Sequence, residues 1–245
     1  MTNEPTPRDT KILFAESDNH CSICKTELII HADSYAGNKA ELAHIKGERE
    51  SAARFDATMT NDERRSHENI ILVCANCHKD IDQLVDKYSV EVLLKIKKEH
   101  IDWVRVSTSK SLNKISFKEL QEITKHLVSV SPPTQVSYDL LYLADKIKRN
   151  SFSPAIEGLI TQSLTRVEEV QQFISKHPDL AFAEKLKNGF ISEYNQLKNI
   201  DKFYGDELFN ALIEFAANGN PEFVYRAAGA TVVVYLFEKC EVFEK

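Results

Sequence analysis

The sequence predicts two folds in tandem: an α+β N-terminal domain stapled by a metal-binding cysteine cluster, then an all-α helical C-terminal domain. Two matched Cys-x-x-Cys pairs, Cys21/Cys24 and Cys74/Cys77, predict the staple. Short β-favouring segments lying between the pairs predict the mixed character of the first domain. A change of pattern after Lys110, from short mixed segments to successive amphipathic helices, predicts the second.

Each element has its own signal. Lys11-Ile12-Leu13-Phe14 opens a short element ahead of the first cysteine pair. Segments 26–30 and 40–45 carry enough apolar or β-favouring residues for short strands, with His44 near the end of the second. Segment 46–67 is polar, and Asp62-Glu63-Arg64-Arg65 suggests a helical turn inside a long loop. Asn69 then leads Ile70-Ile71-Leu72-Val73 into the second cysteine pair as a buried strand or extended entry. Beyond Cys77, Ile81, Leu84 and Val85 recur at helical spacing, and a further helix over 88–106 bears Val92, Leu93, Ile96 and Trp103.

The C-terminal helices are expected at 116–130, 136–149, 154–176, 181–199, 206–217 and 221–243. Breaks fall at Ser131-Pro132-Pro133, 150–153, His177-Pro178, 202–205 and 218–221, where Pro, Gly, Asn and Ser gather. In the third helix Ile156, Leu159, Ile160, Leu164, Val167, Val170, Phe173 and Ile174 form one stripe. The last is apolar almost all round over 227–237, which predicts a central position in its bundle. Its Val232-Val233-Val234 run suits a strand, but the helical context outweighs it. The resulting division is 1–109 for the metal-stapled domain, 110–135 for a linker with the first helix, and 136–245 for a helical partner-binding or oligomerisation domain.

Composition narrows the class. A chain of 245 residues with 42% hydrophobic content is ordinary for a globular protein. The first residues, Met-Thr-Asn-Glu-Pro, lack the charged start and apolar core of a secretory signal. No apolar run approaches the ~20 residues a membrane span needs. The expectation is a cytoplasmic protein without membrane association, where paired cysteines indicate metal before disulfide. Cys240, the fifth cysteine, is expected to be a buried small apolar residue.

Residues 1–109 hold 15 Lys and Arg against 19 Asp and Glu, and 110–245 hold 16 against 18. Neither half has the positive balance that supplies non-specific nucleic-acid affinity. With only seven glycines, no glycine-rich phosphate cradle is visible either.

Two Cys-x-x-Cys turns can place four thiolates around one tetrahedral Zn²⁺. Such a site is closed and structural, so any catalysis must use a second metal. His78 directly follows the last cysteine, and Asp82 lies four residues on, the spacing that shares a helical face. An imidazole and a carboxylate so placed suit one divalent cation. His44 and Asn69 bracket the polar loop, and an imidazole there suits a general base.

In this order, Cys-x-x-Cys, Ala43-His44-Ile45, Asn69-Ile-Ile-Leu-Val-Cys-x-x-Cys77-His78 resembles the HNH endonucleases, over about residues 11–105. Further similar stretches are Ser17-Asp-Asn-His-Cys21, Arg54-Phe-Asp56, 65–69 and His78-Lys-Asp-Ile-Asp82. They look like the HNH branch found on prokaryotic defence effectors. The resemblance implies a ββα-metal finger that hydrolyses DNA to 5′-phosphate and 3′-hydroxyl ends. It implies His44 as general base, Asn69 as the residue steadying the catalytic loop, and His78 as a ligand of a catalytic Mg²⁺ or Mn²⁺, which the spacing lets Asp82 join. Arg49, Arg54, Arg64 and Arg65 are candidates for phosphate contact or for a solvated loop face. One position departs: many HNH enzymes carry Asp or His before the base, and here it is Ala43. Either Asp82 and waters complete the metal shell, or the module is a catalytically inactive zinc-binding subunit that recognises DNA or protein.

Segments 138–150 and 205–244 resemble the helical C-terminal domains of ABC-three-component systems. That likeness implies an ABC-type ATPase and a small accessory subunit as partners, with homo-oligomerisation open, and a role as effector in anti-phage or mobile-element conflict. A generic bundle or dimerisation domain is the alternative.

Overall fold

The computed structural model describes residues 4–32, 35–129 and 143–239. The chain divides into two units, residues 1–105 and 106–245. The Ser131-Pro132-Pro133 break, the start of the expected 136–149 helix, the end of the last one and Cys240 lie outside the described residues. No helix among the described residues is long and apolar enough to cross a membrane.

The first unit opens with helix α1 (Pro7–Ser17), where only a short element at Lys11–Phe14 was expected. Its start is well signalled: the Thr6 hydroxyl accepts from the Asp9 amide, and Pro7 occupies the first turn, where a missing N–H costs nothing. Asp18 and Asn19 then adopt left-handed backbone and turn the chain toward the first cysteine pair. A hairpin of β1 (Ile29–Ala32) and β2 (Tyr35–Asn38) follows; its second strand was not expected. Strand β3 (Ala40–His44) pairs antiparallel with β4 (Ile70–Cys74), matching Ala40 with Cys74 and His44 with Ile70.

Between these strands runs the long polar loop, with a one-turn helix α2 (Asn61–Arg65) closed by a reciprocal Thr60/Glu63 capping box. A 3₁₀ turn at His67–Asn69 delivers the chain to β4. Ile70, Ile71, Leu72 and Val73 are all buried, so this continuous apolar run is covered on both faces. Helix α3 (Ala75–Gln83) leaves β4 without a linker. The core joins Ala43, Ile71 and Val73 of the strands, and Ile45 just after β3, to Ile81 of α3 and Leu93 of helix α4 (Val90–Ser111).

Helix α4 also fixes the first cysteine pair. His100 is buried, receives a hydrogen bond from the Lys25 ammonium at Nδ1 (2.7 Å), and donates from Nε2 to the Ser17 carbonyl. Burial first, then the neighbouring Lys25 charge, pushes its pKa down to about 3, so it is neutral. Trp103 stacks on it.

The second unit, all helical in its described residues, comprises α5 (Phe117–Ser129), α6 (Leu143–Arg149), α7 (Pro154–Leu164), α8 (Val167–Ser175), α9 (Phe182–Asn195), α10 (Gly205–Ala217) and α11 (Phe223–Lys239). The expected helix over 154–176 is two: Thr165 and Arg166 donate to carbonyls three residues back, and the Thr165 hydroxyl bonds the Gln162 carbonyl. Tightened i−3 bonds and a side chain competing for the backbone end the α-helix there. The helix expected over 181–199 similarly ends in a π turn at Gln196–Ile200.

Helix α11 is the centre of this unit, with α5, α7, α8 and α10 packed against it. Val232, Val233 and Val234 are buried and helical. Its contact with α10 is close because Gly229 presents no side chain: a Cβ there would stand 3.2 Å from the Ile213 carbonyl oxygen and 3.3 Å from the Ala216 Cβ. Buried Arg226 is neutralised by Glu214 at 3.1 Å, and buried Lys146 donates to the Phe237 and Glu238 carbonyls at the end of α11. Replacing Gly229 with Val must push α10 and α11 apart. It is expected to cost about 1–3 kcal/mol or more, read from urea unfolding of the full chain.

Candidate functional site

Cys21, Cys24, Cys74 and Cys77 place their sulfurs within 4.8 Å of one another. All four thiols are free of disulfides. The Cys24 and Cys74 sulfurs are 3.7 Å apart, against the roughly 3.8 Å edge of a tetrahedron with Zn–S bonds of about 2.3 Å. The first pair sits on a tight turn: the Lys25 amide donates to the Cys21 carbonyl, and Lys25 itself takes a left-handed φ of 63°. The Cys74 amide donates to the Cys21 sulfur, and the Ser22 amide to the Leu72 carbonyl, which attaches this turn to β4. Burial raises the Cys21 and Cys77 thiols. At Cys24 burial acts in the same direction but is overcome by the Thr26 hydroxyl and amide, which bring it down to about 6. Four crowded sulfurs of this kind become thiolates together only around a cation. The residues present fit zinc.

Beside the cluster lies a recess of about 500 Å³ whose lining includes Cys24, Cys74, Asn76 and Glu41, but not His44. His44 stands at the other end of β3, roughly 13 Å along the strand at ~3.3 Å per residue.

The loop after His44 is tied from within. Asn69 is buried, and its side chain accepts from the Lys46 amide at 2.9 Å while donating to the Lys46 and Arg64 carbonyls at 3.0 and 2.9 Å. The Asn69 carbonyl accepts from the Ile45 amide. Both chain segments flanking the loop are therefore fixed immediately after His44. Arg64 is buried in the loop centre, donating to the Gly47, Asp56 and Met59 carbonyls with its guanidinium over the Phe55 ring at 4.2 Å. Gly47 is required there, since a Cβ would fall 2.5 Å from the Ala53 carbonyl oxygen. Lys46 closes the outer side on Asp56 at 2.8 Å, and this bond, with the Thr58 hydroxyl, holds the Asp56 carboxyl below the usual range.

One side chain connects the end of β3 to the end of α3. Arg54 donates from Nε to the Ile45 carbonyl at 2.8 Å, from Nη1 to the Ile81 carbonyl at 3.2 Å, and from Nη2 to the His44 carbonyl at 3.5 Å. Burial lowers its pKa, and the Asp82 carboxylate opposes that. His44 and Asp82 thus lie at element ends that a single guanidinium spans.

On α3, His78 and Asp82 share a face as the spacing predicts, with Nε2 3.8 Å from the Asp82 carboxylate. The other ring nitrogen, Nδ1, is 2.7 Å from Glu41 of β3. Glu41 was missed in the sequence, although strand alternation puts it on the same face as Ala43, two residues on.

Among the arginines, Arg54 and Arg64 direct their guanidinium groups into the loop, where they bond main-chain carbonyls. Arg65 pairs with Asp62, and the largely exposed Arg49 lies 3.7 Å from Glu48. Comparison with protein-family models and with curated proteins finds no match for this chain.

Two outcomes follow from this geometry. Removing metal with a strong chelator is expected to unfold the first unit, because apparent zinc-binding energies of about 10–16 kcal/mol are folding energy; lost ellipticity and a lowered melting transition, restored by added Zn²⁺, check this. Asn69→Ala leaves up to three main-chain groups without their partner and is expected to cost about 1–3 kcal/mol. Faster hydrogen exchange at the Lys46 amide is its local signature.

Proposed function

We propose that the chain is a metal-dependent DNA endonuclease of the HNH type. What supports the reading above all is the way Arg54 ties the end of β3, which carries His44, to the end of α3, beside Asp82. In the ββα order of β3, β4 and α3, the three residues matched to the family motif occupy the strand end, the loop lock and the helix.

In this reading His44 takes a proton from the attacking water, a task to which imidazole is suited. Asn69 and Arg54 hold the backbone at and just after His44 and so limit its excursions. His78 and Asp82 would hold the divalent ion, Mg²⁺ or Mn²⁺, which when bound stabilises charge on the scissile phosphate and leaving 3′ oxygen. Products would carry 5′-phosphate and 3′-hydroxyl ends. The second unit would assemble the enzyme with an ABC-type ATPase and a small accessory subunit, in a system acting against phage or mobile elements. The acidic balance of the chain supports a partner's share in holding DNA.

Ala43 favours a second reading, a catalytically silent zinc module for DNA or protein recognition, since a ligand is missing where many HNH enzymes carry one. Incubating the protein with plasmid and Mg²⁺ or Mn²⁺, with and without the ATPase partner, separates the two. His44→Ala is expected to lower cleavage by about 10²–10⁴-fold with zinc content and melting unchanged. Undiminished cutting by this variant would remove His44 as the base, and no cutting by the wild-type protein under any condition would favour the silent module.

A further inference from the structure

We infer that Glu41 is the positioning residue of the divalent-ion site, holding His78 in the tautomer and orientation that expose Nε2 beside Asp82. The inference rests on the proposed reading of His78 and Asp82 as metal ligands.

Its basis is the placement of three side chains on two elements. Register pairing sets Glu41 opposite Val73 and Ala43 opposite Ile71, so both project from the same face of β3. Ala43 is fully buried in the core that includes Ile81 of α3, which leaves no room there for a ligand reaching solvent. Glu41 lies two residues nearer the cysteine cluster and remains exposed. Helix α3 starts immediately after Cys74, the residue opposite Ala40, so its first turn passes Glu41 and brings His78 to it.

The chemistry of the contact is directional. An ionised carboxylate only accepts hydrogen bonds, so the 2.7 Å contact requires the proton on Nδ1 of His78. In neutral imidazole the lone pair is then on Nε2, the nitrogen facing Asp82. The 3.8 Å between Nε2 and the Asp82 oxygen is too long for a hydrogen bond. Neighbouring ligands of an octahedral ion about 2.1 Å away lie about 3.0 Å apart, so a side-chain adjustment of under about 1 Å would let both atoms reach one ion. A carboxylate behind a ligating histidine fixes the orientation and tautomer of the ring. Glu41 does this from β3, and the carboxylate absent at position 43 is compensated from two residues away by an indirect route.

The competing account is that His78 is an imidazolium between two carboxylates, a surface ion pair with no lone pair to offer. Mn²⁺ binding to the zinc-loaded full-length protein, followed by the electron paramagnetic resonance signal of free Mn²⁺, distinguishes them, together with ¹⁵N NMR of the His78 ring in the absence of Mn²⁺. Wild type is expected to bind one Mn²⁺ that His78→Ala loses. Glu41→Ala is expected to weaken binding by about 10–100-fold, with the ring shifting away from the Nδ1–H form. Glu41→Gln, whose amide oxygen can accept the same hydrogen bond, is expected to recover part of the affinity.

Unchanged Mn²⁺ affinity and an unchanged ring spectrum in Glu41→Ala would overturn the role of Glu41 while leaving the His78 site standing. Equal binding by wild type and His78→Ala, or none by either, would refute the divalent site itself and the inference with it. A doubly protonated His78 ring in the wild-type protein at neutral pH would establish the ion pair instead.

Discussion

Everything in the first unit depends on the four sulfurs meeting at one point. Cys21 and Cys74 are far apart in sequence, and closing a flexible segment of that length costs entropy that grows as the logarithm of its length. Packing offsets part of it, since Cys21 and Cys77 are themselves members of the core with Leu28, Ile81 and Leu93. The same burial raises the Cys21 and Cys77 thiols, so these two resist ionisation until a cation is present. An ion held there would make metal binding and core formation one event, drawing the cysteine turn onto β4, which passes straight into α3 without slack.

From this fixed corner, order is carried along β3 and α3 to the polar loop. That loop, 45–69, has the composition of a solvated segment and yet contains buried Arg64 and Asn69. Main-chain carbonyls that secondary structure leaves unpaired must find donors when buried. Arg64, Arg54 and Asn69 supply them, each bonding two or three main-chain groups at once. A guanidinium suits this task because its donors form a rigid fork that keeps its charge. Rigidity just after His44 therefore comes from polar side chains, while the rigidity of β4 comes from apolar ones.

These two sources explain what the sequence makes legible. The cysteine spacing, the buried run at Ile70–Val73, the strand ending at His44, the His78–Asp82 helical pair and the helical turn at Asp62–Arg65 all follow from local periodicity or fixed spacing, and all appear in the structure. The Asn69 contacts accord with a loop-steadying role. What periodicity could not reveal is where a long cationic side chain turns. Arg54 and Arg64 look like phosphate donors because the carbonyls they reach, Ile81 from Arg54 for example, are brought near only by the tertiary fold. The break between α7 and α8 was missed for a different reason, since Thr165 disrupts the backbone without interrupting the apolar stripe. Glu41 was accessible to a period-two reading of β3, but its value depends on α3 passing over it.

The internal use of cations also changes the meaning of the charge balance. Arg54 and Arg64 direct their charge into main-chain carbonyls of the first unit, as does Lys97 to His67 and Ile70. Arg226 and Lys146 are buried in the second, one against Glu214 and the other at the carbonyl end of α11. A formal charge of −6 already disfavours a polyanion. Asp9 and Asp18 are buried as well, so interior acids offset part of this withdrawal and the groups left for contact keep an acidic balance. On the proposed reading, this chain can supply the base and the metal ligands but little of the attraction for phosphate. On that reading a basic surface would come from another subunit, with the helical unit proposed as the attachment.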